Sequence, residues 1–346
     1  PVIAVTGSVG KTSTKDIIAN VLGQKYKVLK TEGNMNNHIG LPMTLLKLKD
    51  HTAVVVEMGM NHFGEISLLT NIAKPTGCVI TNIGTSHIGN LGSRENILKA
   101  KLEILEGLDK NGFVLINNDN DLLHEWAKKE KRYKIYTYGL ENNSTYMAKK
   151  ITILENSSEF EINGIKGNVP IGGIHFVYNS VCAFAIGDIL NVEKEKIIKG
   201  ISEFKLTAKR MDIEIIKNKI KVINDSYNAS YDSMKAALEV VNNTSAQRKI
   251  AILGDMLELG EYAKELHEKV GEEVVKNKID ILITIGDNAK NIANKAKELK
   301  MENVYMFDGI EEAIEYIKKT IKCGDLILLK ASNSMNFSKI LNEIKA

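Results

Sequence analysis

An α/β protein of two domains, each built on a mostly parallel sheet, is what this sequence predicts, on three observations. The chain has 346 residues, more than one ordinary hydrophobic core organises. Short β-branched runs alternate with amphipathic stretches along it, the pattern of strands joined by helical crossovers. The first run, Val2-Ile3-Ala4-Val5, passes straight into a glycine turn and a helix start, Thr6-Gly7-Ser8-Val9-Gly10-Lys11-Thr12-Ser13-Thr14.

Gly7 and Gly10 let that turn fold tightly, with its N–H groups pointing into one concavity. The helix behind it, residues 12–22 with Ile17, Ile18, Val21 and Leu22 on one face, adds the partial positive charge of its N-terminus. Lys11 adds a full charge, and the Thr12 hydroxyl is placed to ligate magnesium. Gly7, Ser8, Val9, Gly10, Lys11, Thr12 and Ser13 thus read as a cradle for a nucleoside triphosphate. The bland alternative is a glycine-rich turn with an exposed lysine. The common phosphate-loop pattern has a glycine five residues before Gly10, where Val5 stands, so this loop is tighter.

Composition narrows the class. With 44% hydrophobic and 26% charged residues the chain is globular, and its net charge of +3 is dispersed without a long basic block, so nucleic acid is not an implied partner. No apolar run approaches the roughly 18 residues of a membrane span, and no signal-peptide pattern is read. Cys78, Cys182 and Cys323 stand far apart in apolar runs without metal-ligand spacing. They read as reduced core residues of a cytoplasmic protein, expected to be a monomer.

In chain order, residues 26–30 read as a strand and residues 31–40 as a polar loop, with Pro42 opening a helix to residue 48. Asn34, Asn36 and Asn37 crowd that loop, for ligand contact or for turn chemistry. Residues 53–57 form an apolar strand ending in Glu57. Ligands of a parallel sheet sit beyond such ends, so Glu57 is placed to hold magnesium or, alternatively, to cap the next helix. Residues 77–82 are another buried strand, with Ser86-His87 just past its end; His87 is either functional or an ordinary structural histidine. Ser93 caps a helix to residue 108 on which Lys101 falls among Leu98, Leu105 and Leu108. Desolvation there favours a neutral, nucleophilic amine; a lysine snorkelling to water is the alternative.

Strand (113–117), helix (122–129) and strand (133–138) follow. Residues 146–169, with the Asn163-Gly164 turn, read as antiparallel ribbons, and a helix at 177–190 carries Asn179 in its first turn. The pattern breaks at residues 205–210, which divides the chain into domains 1–206 and 207–346. Strands at 221–224, 249–253, 279–285, 304–307 and 326–330 then alternate with helices and predict the second sheet. It has no phosphate loop; polar clusters at its strand ends, Asp225-Ser226-Tyr227-Asn228, Gly254-Asp255 and Lys330-Ala331-Ser332-Asn333-Ser334, predict a cleft that closes over a shared nucleotide.

These residues together resemble the Mur ligases, ATP-dependent amide-forming enzymes of peptidoglycan synthesis. The resemblance rests on the phosphate loop, Asn36-Asn37-His38-Ile39-Gly40-Leu41-Pro42, Glu57-Met58-Gly59, Ser86-His87-Ile88-Gly89 and Ala100-Lys101-Leu102-Glu103. It continues through residues 175–179, Arg210-Met211-Asp212, residues 224–229 and residues 253–260, covering nearly the whole chain in the family's order. It implies a P-loop ATPase domain followed by a Rossmann-like domain. It also implies ATP and Mg2+ as cofactors, and UDP-N-acetylmuramoyl tripeptide and D-Ala-D-Ala as the molecules joined.

Site roles follow from the resemblance. Lys11 and the loop amides bind the β- and γ-phosphates, Thr12 and Glu57 a first magnesium, and His87 serves magnesium as well. Lys101 matches the lysine that forms a carbamate and helps hold a second magnesium. Asn179 and Arg210 match phosphate contacts, Asp225 and Asn228 lie near the adenosine, and Asn36, Asn37 and Ser86 face the substrate. Catalysis is thereby expected of Lys11, Lys101, His87 and Arg210. Phe176 replaces an asparagine frequent in the family. Mur ligases usually begin with a separate domain that grips the UDP-sugar; this chain starts at the next one, and the expectation is that the first lies outside this sequence. A sister amino-acid or polyglutamate-type ligase, a P-loop switch or motor ATPase, and a non-enzymatic nucleotide-binding remnant stay open. The Asp-Asn-Pro-Arg stretch of the member that adds the third amino acid is broken here as Asp287-Asn288-Ala289-Lys290.

Overall fold

The structure, a computed structural model, describes residues 1–205 and 211–345. Two compact units divide it, Pro1–Lys205 and Leu206–Ala346.

The first unit is organised by the strands β1 (Val2–Thr6), β2 (Val28–Lys30), β3 (Ala53–Glu57), β4 (Gly77–Ile80), β5 (Phe113–Asn117), β6 (Lys134–Gly139), β7 (Tyr146–Ile153), β8 (Ser158–Ile162) and β9 (Ile165–Val169). Their order in one sheet is β2-β3-β1-β4-β5-β6-β7-β8-β9. The pairs from β2 to β7 are parallel, and β7, β8 and β9 are antiparallel. The near-continuous apolar runs of β1, β3 and β4 are explained by burial on both faces. The chain leaves β1 toward β2 on one side and leaves β4 toward β5 on the other, so their carboxyl ends flank a switch point of the sheet. The seam between β6 and β7 is thin: only Tyr138↔Tyr146 and Gly139↔Met147 are paired across it.

The helix Lys11–Gly23 buries Ile17, Ile18, Val21 and Leu22, as its periodicity predicts. It lies against the helices Ile174–Ile189 and Lys194–Ser202. Glycine makes that approach possible: a Cβ at Gly187 would stand 2.7 Å from the Val21 side chain, and one at Gly200 2.7 Å from the Val21 Cα. The helix Lys194–Ser202 and the helix Glu65–Ala73 were not marked by the sequence reading. The helix expected from Pro42 spans Gly40–Leu45 instead, because Asn37 Oδ1 accepts the Ile39 and Gly40 N–H groups and starts it early. Ser93 does cap its helix, accepting the Asn96 N–H at 3.2 Å, but regular helix ends at Leu102 and a 3₁₀ turn, Glu103–Leu105, follows.

The second unit holds β10 (Asp212–Ile216), β11 (Ile220–Asn224), β12 (Arg248–Gly254), β13 (Ile281–Ile285), β14 (Val304–Phe307) and β15 (Asp325–Lys330), ordered β10-β11-β15-β12-β13-β14. All neighbours are parallel except the edge pair β10–β11, in which β10 is an addition to the predicted strands. One face packs Val222, Ile250, Ile252, Ile283 and Leu329 against helices that bring Ile314, Ile317 and Ile340. Among the described residues no helix is long and apolar enough to cross a membrane.

At the amino ends of β12 and β15, Arg248 clamps the buried Asp325 through Nε–Oδ1 at 2.9 Å and Nη2–Oδ2 at 2.7 Å, and donates to the Thr320 carbonyl at 2.9 Å. Asp325 raises the guanidinium's proton affinity further. Replacing Arg248 with Met leaves a buried carboxylate unpaired, so Arg248→Met is expected to lower the stability of the second unit by ~3 kcal/mol, read as a shift in urea midpoint.

Candidate active site

The site is built where the carboxyl ends of β3, β1 and β4 lie side by side. Register sets Val5 beside Glu57 and Thr6 beside Ile80. The Thr6 hydroxyl donates to the Met58 carbonyl at 3.0 Å, tying the first two ends together. The loop after β1 then presses onto the end of β4: a Cβ on Gly7, at φ +150°, would stand 1.9 Å from Thr81 Oγ1. Gly10 is left-handed at φ +81° and turns the chain into the helix, whose backbone ladder opens with Thr14 N–H to the Gly10 carbonyl at 2.9 Å. The first-turn amides before Thr14 therefore point out of the helix end, where an anion gains from both donors and dipole. Ser8 and Val9 are arranged differently: both of their N–H groups donate to Asn82 Oδ1, at 3.0 Å each. Lys11 Nζ folds back onto the Gly7 and Ser8 carbonyls, at 2.9 and 3.4 Å.

Glu57 is 2% exposed, and its two oxygens accept from neutral donors, the Thr12 hydroxyl at 2.7 Å and Asn36 Nδ2 at 2.8 Å. Its N–H donates to Thr31 Oγ1 at 3.0 Å. The Thr31 carbonyl in turn accepts from the buried Lys15 Nζ at 2.6 Å. Among the described residues Glu57 has no cationic partner, and the helix-cap alternative is not realised. A buried carboxylate beside a hydroxyl, unpaired with any cation, fits a divalent ion that completes its shell with phosphate and water. No cluster of three His, Cys, Asp or Glu side chains occurs among the described residues, and magnesium does not need one.

Lys101 is 1% exposed, so its head does not snorkel. It shares its buried helix face with Ile97 and Ala100; of the expected stripe, Leu105 is buried on the 3₁₀ turn that follows, while Leu98 and Leu108 are half-buried. Burial, and then the nearby charge of Lys11, hold its proton affinity well below that of an ordinary lysine. Among the described residues no hydrogen bond or ion pair holds its amine. Ser86 Oγ donates to the Ser8 carbonyl at 3.3 Å, and the neighbouring half-buried His87 takes a left-handed φ of 65° at the start of the next turn. Asn179 stands in the second turn of its helix, which begins at Ile174 instead of residue 177, and its Oδ1 accepts from Thr14 Oγ1 at 3.0 Å.

The structure thus brings Gly7, Ser8, Val9, Gly10, Lys11, Thr12 and Ser13 together with Asn36, Glu57, Ser86, Lys101 and Asn179. Asn37 spends its side-chain oxygen on a helix start. In the second unit Asp225 pairs with the buried Lys330, which also donates to the Asn228 carbonyl at 3.1 Å, while Asn228 Oδ1 accepts the Ala229 N–H at 2.9 Å. Arg210 lies outside the described residues. Sequence reasoning missed Asn82, Thr31 and Lys15; the position of the first two at the carboxyl ends of strands was the available signal.

The chain matches the Mur ligase middle domain over residues 5–187 and the Mur ligase, glutamate ligase domain over residues 209–333. It is 40% identical over 348 residues to a UDP-N-acetylmuramoyl-tripeptide–D-alanyl-D-alanine ligase of Bacillus subtilis (strain 168), covering 99% of this chain and 75% of that protein. Crystal structure I of MurF from Acinetobacter baumannii is similar with a TM-score of 0.92 at 29% identity, covering 99% of this chain and 76% of that one. The crystal structure of MurF ligase from Thermotoga maritima in complex with ADP is similar with a TM-score of 0.87 at 27% identity, covering 99% and 79%. With its phosphate loop, its buried acid and both domains matched, this chain belongs to the Mur ligases, a family of ATP-dependent amide-forming enzymes.

Proposed function

We propose that this ligase joins the amine of D-alanyl-D-alanine to the terminal carboxylate of a UDP-N-acetylmuramoyl tripeptide, driven by ATP, in peptidoglycan precursor synthesis. The observation that carries this reading is the 40% identity, through both domains, to an enzyme that bears that name. Cys78 and Cys182 are buried as expected of core residues, whereas Cys323 is exposed; three free thiols suit a reducing compartment, and the proposal is a cytoplasmic monomer.

A carboxylate does not form an amide directly, because hydroxide is a poor leaving group. The γ-phosphoryl group passes to a carboxylate oxygen: the bond to the β-phosphate breaks, the new P–O bond forms and ADP remains. The amine then attacks the acyl carbon, loses a proton, and phosphate departs with the carbon–oxygen bond electrons. The first step brings two anions together, so positive charge must be waiting. Lys11 and the amides of Gly10, Lys11, Thr12 and Ser13 receive the β- and γ-phosphates, while Gly7, Ser8 and Val9 shape the loop. Asn179, its oxygen occupied by Thr14, turns its amide N–H₂ to a phosphate, and Arg210 adds charge. Asp225 and Asn228 lie near the adenosine, and Asn36, Asn37 and Ser86 face the substrate. Thr12, Glu57 and His87 would hold magnesium, and Lys101, as a carbamate, would help hold a second ion. Magnesium, when bound, neutralises the charge that builds as phosphate and carboxylate meet. Lys101 suits carbamate formation because the reacting form is the neutral amine, which burial favours.

The decisive assay is phosphate release with the UDP-muramoyl tripeptide, with and without D-Ala-D-Ala. Release that ignores both substrates removes the ligase reading in favour of a switch or motor ATPase. Lys11→Met is expected to lower turnover by about 10²–10³-fold or more. Lys101→Ala is expected to lose turnover and to regain part of it with an added small carboxylic acid; full activity without additive eliminates the carbamate role.

Lys101→Met separates stability from turnover. The folded amine holds its proton more weakly than the unfolded one, so between the two proton affinities the unfolded chain binds more protons and stability rises with pH. In carbonate-free buffer the native protein should therefore melt below Lys101→Met near neutral pH. The gap should narrow as pH rises toward ~10, the ordinary range of lysine, while the variant stays inactive. A gap that does not change with pH contradicts the buried, uncompensated amine.

A further inference from the structure

Asn82 follows β4 and reaches across the switch point to the loop after β1. Its side-chain oxygen accepts two converging amides, Ser8 N–H and Val9 N–H, each at 3.0 Å, and its own carbonyl accepts Ser8 N–H at 3.1 Å. Asn82 Nδ2 returns a bond to the Val9 carbonyl at 3.3 Å, which also accepts from Thr81 Oγ1 at 2.8 Å. The Ser8 hydroxyl accepts the Gly84 N–H at 2.9 Å, so residues 81–84 serve as a template for residues 7–9. Two adjacent loop amides converging on one oxygen is the arrangement such loops otherwise offer to an anion. Here a neutral carboxamide occupies it, and Asn82 is only half-buried. A carboxylate of the same shape could therefore stand there and accept the same two N–H groups more strongly.

We propose that Asn82 is a positioning residue of the phosphate loop. Its carboxamide keeps the Ser8 and Val9 amides when ATP is bound, so that the triphosphate is received by Lys11 and the first turn of the helix, and its neutrality is required because it lies beside the phosphates. The inference rests on the reading of this loop as the ATP site.

The test is Asn82→Asp in the whole chain, which keeps both accepted hydrogen bonds, adds a negative charge and gives up the long Nδ2 bond to the Val9 carbonyl. Calorimetric titration with ATP and magnesium should show the dissociation constant raised about ten-fold or more, by a like charge close to the phosphates, with the melting temperature kept. In turnover the effect should fall on the KM for ATP more than on that for D-Ala-D-Ala, and it should shrink as salt is added. A merely structural asparagine predicts none of these; ATP affinity equal to that of the native protein overturns the proposal. Should Asn82→Asp fail to fold, Asn82→Leu decides: it frees the two loop amides, and kcat/KM for ATP must fall about ten-fold or more, a native-like value again overturning the proposal. Native protein that binds no ATP would instead defeat the nucleotide reading itself, which keeps the two failures apart.

Discussion

Glu57 and Lys101, two ionisable groups buried without an opposite charge among the described residues, are what the rest of this site is arranged around. Taking a charge out of water costs several kcal/mol unless a partner or a set of hydrogen bonds restores what the solvent gave. Glu57 is restored by neutral donors only, Thr12 and Asn36, and Lys101 avoids the cost by giving up its proton readily. Neither solution is the most stable packing available. Both leave a ligand-shaped deficit of charge: a cation is wanted beside the acid, and the amine is in the form that reacts. A fold that tolerates such deficits must stabilise itself elsewhere, and the apolar, doubly covered strands β1, β3 and β4 are where it does so.

The order of those three strands explains why the parts meet. Residues 57, 82 and 7–14 are distant along the chain, yet β3-β1-β4 makes their strand ends neighbours. The tightness noted in the loop has a physical cause in the same place. Gly7 rests on Thr81 so closely that no side chain fits, and the shortened loop is shaped by its neighbour strand instead of by its own length.

Much of this was legible in the residues. The loop, Glu57 and the desolvated Lys101 announce themselves through motif, strand-end position and helical spacing, each a local signal. What was hidden acts through a second residue. Lys15 looks like a surface lysine one turn after Lys11, and only the fold shows it buried on the Thr31 carbonyl. Asn82 reads as the last residue of a strand until the loop is brought against it. β10 escaped because an edge strand needs little apolar surface: Ile213 and Ile215, which would mark a core, are 39% and 72% exposed. Helix ends slipped for a similar reason, since Asn37 begins its helix with a side-chain oxygen that no periodicity reveals. Arg210 falls where the structure describes nothing, and its role is carried by likeness alone.

The thin seam between β6 and β7 has a consequence of its own. Only two residue pairs stitch β7 to the parallel strands through the backbone, so the ribbon takes its alignment from the helix Ile174–Ile189, where Tyr146 donates to Asp188 at 2.9 Å and packs edge-on against Phe184. That helix also lies against Lys11–Gly23, so a change in the ribbon reaches the phosphate loop through packed helices before it reaches it through the sheet.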